Sequence, residues 1–342
     1  MNNNSRIIRR RKKRKGLKII RALLFIFITL LLVVGGYAGF LFYKAQQVAD
    51  QTYEEIDREA IPDHRTEKIK VKEDPFTMLL MGVDDQEGGL GRADVLMLVT
   101  VNPKTEDIFL VSIPRDTRTY FPDWDKEDKI NHSYGINGVT STIKTVTNLL
   151  DIPIDYYVTT NFQGFEDVVD SLGGITVDVP FTFKAQLTGS LKWKTYYEGE
   201  MDLNGNEALA YVRMRKSDPM GDFGRNERQK QVVKEIVKKS ASLTSITKID
   251  NVLDDVGENV RTNIPSRDFL SFVQLYSKLK DTEIQSLKLE GYDDTIGSVY
   301  YFIPSDDSIN EINETLNSVL DGTYVPEPET TEDETNTTTG GY

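Results

Sequence analysis

The chain has 342 residues, a net charge of −13, two histidines and no cysteine. The missing cysteine excludes disulfides, thiolate metal sites and a thiol nucleophile, and His64 and His132 alone leave almost no room for a Ser-His-Asp triad or a histidine-rich zinc centre. Any catalysis has to rest on carboxylates, arginines, a lysine and a hard cation such as Mg²⁺.

Charge is unevenly spread. The first 21 residues hold ten basic side chains and no acidic one, including the block from Arg9 to Lys15. Residues 22–43 then carry no charge and are rich in Leu, Ile, Phe and Val. As a helix this stretch is about 33 Å long, enough to cross a hydrocarbon core of about 30 Å. The positive-inside rule predicts a single-pass cell-membrane anchor, with residues 1–21 in the cytoplasm and everything after Lys44 outside. A cleaved signal peptide would have a shorter apolar core, and Lys44-Ala45-Gln46-Gln47 makes a poor cleavage site. Beyond residue 21 there are 41 − 10 = 31 basic against 54 acidic residues, a net of −23. That balance argues against a nucleic-acid partner.

Residues 44–74 are polar and read as a stalk, helical at first and broken at Pro62. Residues 75–322 read as one domain, long enough to bury about 70–75% of the surface of its unfolded chain. Within it, apolar runs predict buried strands over 76–83 and 93–101, and Asn102-Pro103-Lys104-Thr105 predicts a turn into an antiparallel strand over 107–113. A helix is expected over 139–150, a strand over 156–160, a helix over 162–172 stopped by Gly173-Gly174, and a strand over 175–179. Further helices are expected over 207–214, 226–243, 267–279 after a Ser266 cap, and 306–320 after Ser305, with strands over 283–289 and 299–303. The tail, 323–342, is acidic, Thr-rich and without apolar anchors, and reads as disordered. Strands mixed with helices predict an α/β fold, a mixed sheet sandwiched by helices.

The candidate site starts from arginines that gather against the prevailing charge. Arg213 and Arg215 precede the run Asp222-Phe223-Gly224-Arg225-Asn226-Glu227-Arg228-Gln229. Arg225, Arg228 and Gln229 share one face near a helix start, where the partial positive charge favours an anion. Guanidinium forks match phosphate oxygens, so a phosphate or diphosphate site is expected. The competing reading is ion pairing with Asp222, also a candidate helix cap, and with Glu227. Asp84 ends the first predicted strand, and Gly91-Arg92-Ala93-Asp94 opens the second. If the strands are neighbours, Asp84 and Asp94 converge beside Arg92 and suit Mg²⁺, although acids at turns more often serve as caps. Pro114 aims Arg115 off the end of the third strand. Arg118 and Arg261 are left as surface residues.

These motifs carry a resemblance. Gly82-Val83-Asp84, Gly91-Arg92-Ala93-Asp94, Ile113-Pro114-Arg115-Asp116, Lys129-Ile130-Asn131 and the run from Asp222 to Gln229 resemble, in order, those of the LytR-CpsA-Psr family. The resemblance implies an enzyme that moves a glycopolymer, typically wall teichoic acid, from a polyprenyl-diphosphate carrier to a muramic acid hydroxyl of peptidoglycan. It implies a mixed sheet flanked by helices, with the lipid in an apolar slot between them. Arg92, Arg115, Arg213, Arg215, Arg225 and Arg228 resemble diphosphate-contacting arginines, Lys129 and Gln229 join them, and Asp84 and Asp94 resemble Mg²⁺-linked acids. Ala93 stands where a Ser is usual. Arg115, Asp94 and Asp222 are the expected catalytic residues, with Asp94 or Asp222 as general base. A polyprenyl-diphosphate hydrolase would use the same residues. A non-catalytic envelope regulator or wall-binding protein is the other alternative, although a wall-binding module would not need paired acids beside arginines.

Overall fold

The computed structural model describes residues 39–41, 43–56, 61, 65, 68–84, 91–241, 257 and 259–326. The membrane span expected over 22–43, except its last few residues, and the tail from 327 lie outside them. Among the described residues no helix is long and apolar enough to cross a membrane.

The expected apolar runs form the centre of a six-stranded mixed sheet. Strands β1 (Phe76–Asp84), β2 (Arg92–Asn102) and β3 (Asp107–Ser112) form an antiparallel meander. A separate hairpin follows, β4 (Arg118–Phe121) with β5 (Lys126–Lys129), and β6 (Tyr156–Asn161) then returns to the main sheet parallel to β1. β7 (Ile175–Val179) pairs with β10 (Gly199–Leu203), and β8 (Phe183–Gln186) with β9 (Trp193–Tyr196). β11 (Val260–Thr262) adds antiparallel to β6, and β12 (Ile284–Lys288) parallel to β3. β13 (Gly291–Ile296) and β14 (Val299–Pro304) make a separate hairpin. The main sheet order is β11-β6-β1-β2-β3-β12.

Side-chain alternation along the sheet sends two apolar sets in opposite directions. Leu79, Met81, Leu98, Phe109 and Val111 face helices α1 (Tyr134–Leu150) and α6 (Asp306–Asp321) through Ile143, Val146, Ile312 and Leu316. Phe76, Val101 and Tyr156 face α5 (Ser266–Leu279) through Phe272, Leu275 and Leu279. The sheet is therefore sandwiched, as its two-sided apolar runs require. A second core packs α2 (Phe162–Ser171), α3 (Gly205–Arg213) and α4 (Asp222–Ala241) against the small sheets.

Local chemistry explains most boundaries. Asn204 caps α3 in a reciprocal box with Glu207. Ser305 accepts from the Ser308 amide to start α6, as expected. The expected Ser266 cap is not formed. Pro265, held extended at φ −65° and ψ 144°, precedes α5, and Ser266 is its first residue. Helix α1 begins earlier than its apolar periodicity and kinks at Asn137 and Gly138, where Gly138 has φ 57°. The segment read as a stalk contains a helix over 43–52, after which Tyr53 bridges to Thr262 and the Glu54 amide donates to the Thr262 carbonyl at 2.8 Å. Val48, Ile56, Ile61 and Val71 from this segment are buried.

Helices α2 and α3 touch where Gly205 meets the Glu166 carbonyl. A Cβ at position 205 would lie 2.2 Å from that backbone oxygen. Gly205→Ala should therefore destabilise the domain by about 1–3 kcal/mol, the range for overpacking. Urea unfolding followed by circular dichroism measures it; an unchanged midpoint would show that the helices separate freely.

Candidate functional site

The sheet's β1–β2 end collects the predicted residues. Arg92 stands directly opposite Asp84 in the β1–β2 register, and the register shift between Gly82 and Val83 leaves Asp94 as the extra residue on β2. Pro114 turns the chain after β3, so Arg115 points back to Asp94, with Nη1 to Oδ2 at 3.0 Å. Asn131, on a 3₁₀ turn after β5, donates to the other Asp94 oxygen at 3.2 Å. Lys129 donates to Asp116 at 2.7 Å. Arg215, in the connection from α3 to α4, reaches Asp116 at 3.8 Å and Asp222 at 3.2 Å. Arg225 on the first turns of α4 binds Asp222 at 2.7 Å.

Arg92, Arg115, Asp116, Lys129, Asn131, His132, Arg215 and Tyr300 line an open cavity of about 290 Å³. A smaller neighbour of about 160 Å³ shares Asp116, Arg215 and Tyr300 and adds Asp222, Asn226 and Asp293. The larger cavity is lined by four cations, Arg92, Arg115, Lys129 and Arg215, against one carboxylate, Asp116, a local excess of 4 − 1 = 3 positive charges in an acidic chain.

The polar groups here are incompletely satisfied. Arg115 Nε, Asp116 Oδ2, Asn131 Oδ1, Asp222 Oδ1 and Arg225 Nε are buried without a hydrogen-bond partner. Such orphans are rare in folded proteins, and five in one cluster mark a place built to receive polar ligand atoms. Burial holds the Arg225 guanidinium below its ordinary value, and the charges of Arg115 and Arg215 push the same way against Asp222 and Asp94. An anion would relieve that strain. Burial would lower Arg115, but Asp94, Asp116 and Asp222 outweigh it and raise it. Burial would also raise Asp116, but Lys129, Arg115 and Arg215 hold its carboxyl below the usual range.

Not every predicted residue enters the cavity. Arg228 and Arg225 share a helix face in sequence, yet Arg228 turns beneath α3. Its side chain is 2% exposed; it pairs with buried Asp218, and donates to the Tyr211 carbonyl at 3.1 Å and to the Met214 carbonyl. Gln229 lies within 3.5 Å of the Val212 carbonyl. Arg213 stacks over Phe162 at 4.4 Å and donates to Thr188 at 3.4 Å; it lines neither cavity. Arg118 pairs with Glu127. Asp116, Asn131, His132, Asn226 and Tyr300 were not singled out from sequence. Asp116 and Asn131 lie inside the quoted motifs, whereas Tyr300 reaches the site from a distant hairpin and left no sequence signal.

Residues 39–318 match the LytR_cpsA_psr family. The chain belongs to that family. It is 40% identical over 320 residues to the polyisoprenyl-teichoic acid–peptidoglycan teichoic acid transferase TagV of Bacillus subtilis, covering 92% of this chain and 81% of TagV. It is 42% identical over 312 residues to the transferase TagU of Bacillus licheniformis, covering 91% of this chain and 98% of TagU. The crystal structure of B. subtilis TagV superposes with a TM-score of 0.65 at 42% identity, covering 75% of this chain and all of that one. As a LytR_cpsA_psr protein, the chain shares with TagV the mixed sheet and flanking helices described above.

Breaking the Arg228–Asp218 pair leaves one buried charge alone. Arg228→Ala should lose about 3–5 kcal/mol of stability, measured by urea unfolding. An unchanged midpoint would return Arg228 to the list of ligand-binding residues. Asp116, with its lowered native value, contributes stability that is complete above the ordinary carboxylate range and lost as pH falls through that lowered value. In Asp116→Asn the fall in unfolding free energy between about pH 5 and pH 1 should therefore be shallower than in the parent. Equal slopes would show that Asp116 does not gain from Lys129 and the arginines.

Proposed function

We propose that this chain transfers an anionic glycopolymer, wall teichoic acid in class, from a polyprenyl-diphosphate carrier to a hydroxyl of peptidoglycan. The observation that carries the reading is the cluster of orphaned arginine and carboxylate atoms around a cavity with excess positive charge. The names of TagV and TagU supply the substrate class. Arg92, Arg115, Arg215 and Lys129 bind the non-bridging oxygens of the diphosphate, and Arg225 adds charge from beneath. The polyprenyl chain lies along the half-buried face of Leu80, Val95 and Val158.

The acceptor oxygen attacks the phosphorus that bears the glycopolymer. The bond from that phosphorus to the bridging oxygen breaks, and polyprenyl phosphate leaves with the electron pair. The arginines offset charge that builds on the equatorial and departing oxygens, which is most of what phosphoryl transfer requires. Each oxygen of Asp94 already accepts one hydrogen bond, from Arg115 and from Asn131, and keeps its remaining lone pair for a metal. Asp222 Oδ1 accepts no hydrogen bond, its nearest cation being Arg215 Nε at 3.2 Å, and Asp222 borders the second cavity, so we assign it the acceptor proton.

Asp84 and Asp94 fit Mg²⁺ as part of a shell. They offer hard oxygen ligands at one sheet end, and among the described residues no group of three or more such ligands forms a complete cage. Two carboxylates with substrate phosphate and water are a usual Mg²⁺ environment. When bound, the ion would neutralise diphosphate charge. The chain is held to the cell membrane by residues 22–43, with residues 1–21 in the cytoplasm and the domain outside.

The test is transfer of a synthetic lipid-linked precursor to peptidoglycan oligomers. Arg115→Ala should lower turnover at least ten- to hundredfold, as loss of a charge-assisted phosphate contact of about 1.5–3 kcal/mol implies. Asp222→Asn should lower kcat with little change in KM. Activity should vanish in EDTA and return with Mg²⁺; full activity in EDTA would make Asp84 and Asp94 turn residues. Release of free polymer at the same rate without acceptor would identify a hydrolase instead.

A further inference from the structure

One hairpin exposes apolar side chains that no other described part of the domain covers. β8 and β9 turn Phe183, Ala185 and Tyr196 into the second core. Trp193, opposite Gln186 in the register, lies on the other face and is 64% exposed, and Leu191 at the turn is 90% exposed. Residues 180–197 contain Lys184, Lys192 and Lys194 and no acidic residue, in a chain of net charge −13. Lys194 pairs with Glu207, while Lys184 and Lys192 are exposed. A bare Trp and Leu beside lysines is not an ordinary solvated turn.

The position of this turn follows from a chain of contacts. The Thr188 carbonyl accepts from Asn206 at 3.2 Å, and Asn206 also donates to Glu166 on α2 at 2.9 Å. Arg213 joins Thr188 to Phe162, the first residue of α2. Helix α2 begins where β6 ends, at the sheet end that carries Asp84 and Arg92. On its other flank, Asn259 donates to Asp167 at 3.2 Å. Two residues before Asn259, Gly257 lies against Val48 and Gln51 of the helix over 43–52. That helix runs on directly from the predicted membrane span. The helix over 43–52 and the hairpin turn therefore flank the same end of the sheet.

We propose that the β8–β9 turn seats in the headgroup layer of the anionic bilayer from which the anchor emerges. Trp193 and Leu191 enter the interface, and Lys184 and Lys192 meet the lipid phosphates. Trp is suited to that layer because its ring is apolar while its N–H remains wet. Lysines extend apolar stems beside it and keep their charge in water. The same bilayer repels the acidic remainder of the surface, so this basic, apolar turn fixes which side faces down. The arrangement holds the cationic cavity end of the sheet toward the plane where a lipid diphosphate lies. The inference rests on the anchor assigned under the proposed function.

The chain's two tryptophans make the test direct. Full-length protein is reconstituted into vesicles of phosphatidylglycerol and brominated phosphatidylcholine. Trp124→Phe leaves Trp193 as the only indole, and Trp193→Phe leaves Trp124. Trp193 emission should be blue-shifted and quenched several-fold more than that of Trp124. Equal, weak quenching in protein that floats with the vesicles would overturn the inference and leave the anchor standing. Protein that does not float would remove both. A blue shift without bromolipid quenching would mean that a second copy covers the turn, and would also overturn it. In a second measurement, Leu191→Glu combined with Lys192→Glu should raise KM several-fold for a polyprenyl donor in vesicles. Turnover of a short-chain, water-soluble donor should not change. Equal effects on the two donors, or none on either, would count against membrane seating.

Discussion

The site depends on one buried guanidinium that never reaches the cavity. Arg228 donates to the carbonyls of Tyr211 and Met214 at the end of α3, groups a helix terminus leaves unsatisfied. The same side chain pairs with Asp218 in the connection that follows, and Asp218 lies so close to Gly224 that a Cβ there would sit 2.1 Å from its carboxylate. One cation thus ties the end of α3, the following loop and the first turns of α4 together. That loop carries Arg215, and those turns carry Asp222 and Arg225. The joint thereby fixes where these three side chains start from. Its cations are therefore of two kinds, one that shapes the backbone and one that faces the opening.

The opening is held in an unsatisfied state by mutual restraint. Arg115 Nε and Asp116 Oδ2 face each other at 3.6 Å, too far for a hydrogen bond. Each is already drawn elsewhere, Arg115 toward Asp94 and Asp116 toward Lys129. Tyr300 closes one side, its hydroxyl fixed on Asp293 at 2.7 Å and its ring 5.6 Å from the Arg215 guanidinium. Donors that are fixed before a ligand arrives do not have to reorganise during reaction, which is the basis of electrostatic catalysis.

The sheet and its helices were legible because their apolar patterns are strong. β1, β2 and β3 are covered on both faces and read as continuous apolar runs. β5 reads Lys-Glu-Asp-Lys, and every residue of β13 is exposed, so neither has a burial pattern to find. The arginines were legible as a set through composition and motif order. Helical spacing could not separate Arg225 from Arg228, since both lie on one side of α4 and only the packing of α3 divides them. Tyr300 was invisible because its place depends on the Thr117–Phe302 bridge, a contact across 185 residues of sequence (302 − 117).

The helix over 43–52 does not swing free of the domain. Tyr53 and Glu54 close onto Thr262, and Val48 is buried. A domain docked on its own leash has no slack, so its reach is set by geometry rather than by the statistics of a flexible linker. In the proposed orientation the catalytic mouth would stay at a constant height. Acceptor strands would then be selected by depth, with only the newest, innermost layer of the wall coming within range.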